Sequence, residues 1–197
     1  MNVFINIFDH SPCFVLKSDQ DIVGIEFIDI RGKEYDMFFE KLSEFLSGLG
    51  YEWGSIRTIT IVTGPGGFTA TRVITLMLST LHITDNIALF SIDRFAYAHM
   101  LGVPFPLSLQ ANKAERAVAF DSHGWSLIPE VEYSDSIYHI DDDRDNFFSS
   151  ENIMNFFQDC VLPLGKEEFP LKPLYIKKPH ITFSNAHTAP LSLDAPL

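Results

Sequence analysis

Residues 56–62 are Ile-Arg-Thr-Ile-Thr-Ile-Val, a β-branched run that stops on Thr63-Gly64-Pro65-Gly66-Gly67 and gives way to apolar residues at helical spacing. This junction constrains the fold more than any other feature. A strand that feeds directly into a helix cannot return as a hairpin. Its neighbour must be reached by a crossover, which favours parallel pairing and a right-handed connection. The chain is therefore neither all-α nor all-β.

The flanking segments extend the pattern. Residues 3–8 and 13–16 are short apolar runs separated by Asp9-His10-Ser11-Pro12. After the Asp19-Gln20-Asp21 turn, Val23, Ile25 and Phe27 alternate with other residues, which is strand periodicity. Connections this short predict an antiparallel meander. The period then changes to helical, with Asp36 as N-cap, Phe38, Leu42, Phe45 and Leu49 in one stripe, and Gly48 or Gly50 ending the helix in a left-handed conformation. A second helix is predicted over 69–82, a strand over 87–91, and a short helix capped by Asp93 that reaches Leu101. The predicted order is β-β-β-α-β-α-β-α. It is the ribonuclease-H-like order, the half-domain from which actin-like ATPases are built, so the fold class is α/β and actin-like.

Gly102-Val103-Pro104-Phe105-Pro106 marks a boundary. Short strands are predicted over 107–110, 117–120 and 125–128, with a loop at 141–145. Ser149 or Ser150 caps a helix carrying Ile153, Phe156, Phe157 and Cys160. Six of the 11 prolines lie at or beyond Pro163, which predicts an extended or loosely ordered end. The expected division is an N-terminal lobe over 1–101, a reduced C-terminal lobe over 102–178 and an extended tail over 179–197. No internal repeat is visible.

Composition narrows the function classes. The net charge of -12 repels phosphate backbones, and nucleic-acid binding is driven largely by basic residues displacing counterions. Direct binding to RNA is not expected. The late lysines, Lys166, Lys172, Lys177 and Lys178, read as a solvated surface. Cys13 and Cys160 form no CxxC pair and no zinc spacing, which fits a reduced compartment. The opening segment does not read as a signal peptide, and no apolar run reaches membrane-spanning length, so a cytoplasmic protein is expected.

Residues 63–73, Thr-Gly-Pro-Gly-Gly-Phe-Thr-Ala-Thr-Arg-Val, resemble the G-P-G-S-F-T-G-L-R-I-G signature of the TsaB (YeaZ) family. That signature also lies between a strand and a helix. Ser91-Ile92-Asp93-Arg94-Phe95 resembles the family's V-S-S-L-E-A segment, Pro173-Leu174-Tyr175-Ile176-Lys177 resembles its P-x-Y-L-R box, and Asp9-His10-Ser11 stands in the place of its opening D-T-S. The chain departs from the pattern at Gly67, Ala70, Thr71 and Ile74. It has Lys33-Glu34-Tyr35 near the usual H-S-E, and keeps the D-A-R-x-x-E-V-Y strand only loosely, in residues 111–118.

The resemblance implies a non-catalytic subunit with an actin-like fold. Such a subunit pairs with its paralogue TsaD, which makes threonylcarbamoyladenosine beside the tRNA anticodon, and the pair is bound by the ATPase TsaE. It implies pairing through the first two long helices. No cofactor of the chain's own is expected; the glycine loop leads into a helix N-terminus, so if ATP or ADP lies at the multi-subunit interface, Gly64, Gly66, Gly67 and Thr69 would make the contact.

The residues give an independent reason to expect a partner surface. Phe38, Leu42, Phe45 and Leu49 form a stripe on the first helix, which Phe39 and Leu46 extend sideways. On the second helix, Val73, Leu76, Met77 and Thr80 form one stripe, and Ile74, Leu78 and Leu81 form another. A helix lying on one side of a sheet needs a single apolar stripe. The expected partner surface is Phe38, Leu42, Phe45, Leu49, Val73, Leu76, Met77 and Thr80. The other reading is that the C-terminal lobe covers the extra stripe.

Other chemistries fit poorly. Residues 64–67 lack the P-loop spacing and lysine and are not a G-x-G-x-x-G fingerprint, so a tight turn with close helix packing is the plainer reading. Asp9 ends the first strand where active actin-like ATPases hold a metal-organising carboxylate. Asp121 or Asp135 would have to act as its second, and no glycine-rich loop follows either. His10, His82, His99, His123, His139, His180 and His187 form no HExxH or HxxxH pair. His139 beside 141–143 lacks EF-hand spacing, Cys13 with His10 is too local for a dyad, and no G-x-S-x-G elbow occurs. An actin-like nucleotide-binding phosphotransferase and a homodimer built on the same helices remain the alternatives.

Overall fold

The computed structural model describes residues 1–8, 11–28, 37–66, 68–112, 115–122, 124–129, 136–142 and 145–175. Asp9, His10, Lys33, Glu34, Tyr35, Asp36, Gly67, Asp135, His123, His180, His187 and the segment 179–197 lie outside these residues.

The front of the chain runs β1 (Asn2–Asn6), β2 (Cys13–Lys17), β3 (Ile22–Phe27), α1 (Phe38–Gly48), β4 (Thr58–Val62), α2 (Phe68–Asp85), β5 (Ala88–Ile92) and α3 (Arg94–Met100). This is the order read from the sequence. β1, β2 and β3 pair antiparallel, while β1 pairs parallel with β4 and β4 with β5. Gly50 takes φ +81 just beyond α1, where a left-handed residue ends the helix. Asp93 accepts a hydrogen bond from the Ala96 amide at 2.8 Å and caps α3.

A second sheet follows, made of β6 (Leu107–Asn112), β7 (Glu115–Asp121), β8 (Gly124–Pro129) and β9 (Tyr138–His139), in the order β8-β7-β6-β9. It copies the first sheet in miniature: β6, β7 and β8 form an antiparallel trio, and β9 runs parallel to β6 as β4 does to β1. The repeat is one of topology, which is why side-chain identity did not reveal it.

The chain then comes back to the first sheet. Helix α4 (Ser150–Asp159) is capped by Ser149, whose hydroxyl accepts from the Asn152 amide at 3.2 Å. β10 (Lys166–Glu167) pairs antiparallel with β5 and completes a six-stranded sheet in the order β10-β5-β4-β1-β2-β3. The proline-rich end is thus extended but anchored over 163–175. The Leu171 amide donates to the Ser79 hydroxyl at 3.2 Å, and Phe169 lies on His82 with ring centroids 4.1 Å apart.

Alternation along the first sheet divides the interior in two. Val3, Ile5, Phe14, Leu16, Ile59 and Ile61 face α1 and α2. Phe4, Cys13 and Val15 face α3, α4 and the second sheet. Lys17 at the end of β2 is buried, and its ammonium donates to the carbonyls of Phe157, at 2.5 Å, and Cys160. Those carbonyls end α4, where intrahelical donors run out and the helix dipole is negative.

Candidate partner surface and glycine turn

Helix α1 faces inward, which corrects half of the expected partner surface. Phe38 and Leu42 are fully buried and Phe45 nearly so, because α1 lies flat on the sheet with Phe38 and Phe45 against the Phe14 ring, at 5.5 and 5.8 Å. Leu49 rests on the bare backbone of Gly24 in β3, where an added Cβ would come within 2.5 Å of its Cδ1. Leu46 is buried, and Phe39 is stacked on Trp53 at 5.1 Å. Phe38, Leu42, Phe45 and Leu46 are core in the single chain, and the half-buried Phe39 and Leu49 pack against that core.

Helix α2 keeps its two stripes apart. Ile74, Leu78 and Leu81 go into the core. The other stripe is left outside: Val73 is 40% exposed, Leu76 69% and Ile83 73%, with Met77 half-buried and Thr80 exposed between them. Ile83 continues the row by a further turn and was not anticipated, although its spacing from Leu76 and Thr80 was visible. The hydroxyls along this face turn back onto the helix. Thr80 donates to the Leu76 carbonyl at 3.1 Å and Thr84 to the Thr80 carbonyl at 3.2 Å. With the hydroxyls satisfied, the threonine methyl groups add to the apolar row.

The glycine turn lies at the carboxyl ends of β4 and β5. In an open α/β sheet that edge is where ligands bind. Here the turn is packed on both sides. Gly64 has φ +118, and a Cβ there would come within 2.6 Å of the Leu174 carbonyl oxygen. The Leu174 amide donates to the Thr63 carbonyl at 2.9 Å. A Cβ on Gly66 would come within 2.1 Å of the Phe8 ring. Thr69 falls in the first turn of α2.

Arg94, which sequence reasoning passed over, ties this region together. It is only 8% exposed. Its backbone amide donates to the Gly64 carbonyl at 2.6 Å, and its guanidinium donates to the Pro65 carbonyl at 3.0 Å. The guanidinium also lies 3.3 Å from an Asp141 carboxylate oxygen and 5.3 Å from the centre of the Phe8 ring. An arginine following a capping aspartate carries no signal of such a role.

The remaining chemistry-bearing side chains are accounted for locally. Burial pushes the Cys13 thiol up to about 12. Burial also raises Cys160, against the opposing charge of Lys17. His82 and His99 each direct Nδ1 at a backbone carbonyl, of Ile87 and Val103. His139 and Ser108 meet at 2.7 Å, a pair that only the fold brings together. Ser108 is fully buried, and Arg116 donates to the same ring nitrogen at 2.5 Å, so the pair is an internal network with no access for a substrate. Asp121 is exposed at the end of β7. Among the described residues no group of three or more His, Cys, Asp or Glu is arranged to hold a metal ion. No helix among them is long and apolar enough to cross a membrane.

No protein-family model matches the sequence. No curated protein matches it either. Solved structures do match. One is YeaZ from Pseudomonas aeruginosa, with TM-score 0.51 and 12% identity over 64% of this chain and 63% of that one. Another is an uncharacterized protein with similarity to peptidase YEAZ from Pseudomonas aeruginosa, with TM-score 0.52 and 12% identity over 64% of this chain and 62% of that one. The match spans less than two thirds of either neighbour. The mixed six-stranded sheet, the helices on its two faces and the second, four-stranded sheet together make this a TsaB/YeaZ-like chain in fold, of the actin-like type.

Proposed function

We propose that the chain is a non-catalytic docking subunit that binds a TsaD-like threonylcarbamoyltransferase through the outer face of α2, and so supports formation of threonylcarbamoyladenosine beside the tRNA anticodon. The observation that carries this reading is the continuous apolar row of Val73, Leu76, Met77 and Ile83 on a helix whose opposite stripe already fills the core. Fully burying a Leu or Ile side chain contributes about 1.5–3 kcal/mol. Three exposed aliphatics at helical spacing thus offer a partner several kcal/mol before ordering and association costs are subtracted. The likeness in fold to YeaZ supports the choice of partner.

The packed glycine turn supports a structural part for Gly64 and Gly66. Phe8 and Leu174 fill the space beside them that a phosphate would need. On this reading ATP or ADP is held only where subunits meet, with a TsaE-like ATPase as the third component. The subunit works in the cytoplasm, and its net charge of -12 leaves contact with tRNA to its partners.

Affinity capture of the tagged chain from its own cells, followed by mass spectrometry, tests the proposal. A TsaD-like protein is expected in the eluate and is lost from it with Leu76→Glu. Its absence from the wild-type eluate, or its retention by the variant, would overturn the reading. Tight magnesium-dependent ATP binding by the isolated chain would favour the phosphotransferase instead.

A further inference from the structure

The outer row of α2 is too small to be a whole interface. A fully buried aliphatic side chain removes on the order of 100 Å² from water, so Val73, Leu76, Met77 and Ile83 together supply about 400 Å² at most. A stable, specific interface takes roughly 800 Å² from each partner. More surface must join the row, and the two flanks of α2 offer different chemistry. On the α1 flank, the exposed positions of the helix are Glu40, Glu44, Ser47 and Gly48, and none carries an apolar side chain. On the other flank lies the returning strap, residues 163–175. The Leu171 amide donates to the Ser79 hydroxyl at 3.2 Å. Leu76 and Ile83, three residues before Ser79 and four after it, are its neighbours on the helix surface, so the strap runs along the border of the outer row. Phe169 stands on that strap, 50% exposed, with its ring against His82, the residue before Ile83.

The strap is fixed on both sides of Phe169. The Glu168 amide donates to the Leu89 carbonyl at 2.9 Å, and Leu171 is buried. Gly165 passes so close to β5 that a Cβ there would come within 2.1 Å of the Ser91 carbonyl oxygen. His82 directs Nδ1 at the Ile87 carbonyl, 2.9 Å away, which holds the imidazole beneath the Phe169 ring.

We infer that Phe169 is an anchor of the docking surface: the partner lies across the outer row of α2 and onto the strap, and leaves the outer face of α1 in water. This rests on the docking reading above and adds which flank the partner takes. The occupant is the same TsaD-like paralogue, presenting an apolar strip wide enough to cover α2 and Phe169 together. An aromatic side chain buries about 150–250 Å², more than any one aliphatic of the row. An aromatic already held in position loses little freedom when a partner arrives, and such anchors carry much of an interface's affinity. Covering the α1 flank would instead strip water from the Glu40 and Glu44 carboxylates.

Calorimetric titration of the full chain with the paralogue tests this, using Leu76→Glu, Phe169→Ala and Glu44→Ala. Glu44→Ala should bind as the parent does, and Phe169→Ala about tenfold more weakly. A photoreactive benzophenone amino acid placed at position 169, or separately at position 44, gives a second readout. It keeps an aromatic group at 169, so it stands even if Phe169→Ala does not fold. A crosslink to the paralogue is expected from 169 and not from 44. Parental binding by Phe169→Ala while Leu76→Glu loses binding, or a crosslink from 44 in place of 169, would overturn the inference and leave the α2 reading standing. Parental binding by Leu76→Glu, or no binding by the parent, would overturn both.

Discussion

Leu76 and Leu78 are two residues apart on α2 and chemically identical, yet one is 69% exposed and the other fully buried. Truncating each to alanine separates the two stripes. Leu78→Ala removes a side chain packed among the inward residues of β1, β4 and α1 and leaves a cavity, which costs about 2–5 kcal/mol. Leu76→Ala removes a side chain that in the isolated chain contacts mostly water, so the change should fall within about 0.5 kcal/mol. The expected gap is about 3 kcal/mol. Urea unfolding measures it. With a slope near 2 kcal/mol per M for a chain of this size, the midpoint of Leu78→Ala should fall by roughly 1.5 M while that of Leu76→Ala stays put. If both variants lost the same stability, Leu76 would be covered within the single chain, and the argument for a free docking stripe would fail.

Three further outcomes follow from the packing. Gly66→Ala drives a methyl group into the Phe8 ring that Arg94 lies over, and should cost about 1–3 kcal/mol in a thermal or urea melt; an unchanged melt would mean the turn is looser than its geometry. Lys17→Met leaves the buried end of α4 without its ammonium donor and should cost about 3 kcal/mol, with faster alkylation of Cys160 as α4 frays; unchanged alkylation would separate Lys17 from that helix. Cys13 is neutral when protonated, and burial holds that proton up to about pH 12 against an ordinary thiol value of 9.0, so its contribution is complete below pH 9 and lost as pH rises towards 12. At pH 10.5 the loss should be about 2 kcal/mol relative to Cys13→Ala, read from urea midpoints at both pH values; parallel losses in the two proteins would refute it.

The first lobe was readable because each of its elements carries a local signal that agrees with the fold. Val23, Ile25 and Phe27 alternate, Asp93 caps the helix after it, and Gly50 sits where a left-handed residue is needed. The two-residue strands β9 and β10 were not readable. Tyr138–His139 and Lys166–Glu167 are strands only because a neighbouring edge accepts them, and two residues hold no period.

Legibility of the candidate surface differs between the two helices. On α2 the sequence showed two apolar stripes but not which one the sheet would take. On α1 it showed a stripe of Phe38, Leu42 and Phe45 that the single chain uses for its own core, because a helix on a sheet must bury one stripe before any is free for a partner. Arg94 was invisible for a related reason. Its partners at Pro65 and Asp141 lie 29 and 47 residues away, and no spacing rule connects them.

The central claim is that the outer stripe of α2 is a docking surface for a TsaD-like paralogue. Calorimetric titration of the purified chain with that paralogue tests it most directly, comparing the parent with Leu76→Glu and with Met154→Glu, an exposed position on α4 across the sheet. A carboxylate buried without a partner costs about 3 kcal/mol or more, which is a weakening of roughly a hundredfold. The account predicts that loss for Leu76→Glu and parental affinity for Met154→Glu. Parental affinity for Leu76→Glu would contradict it.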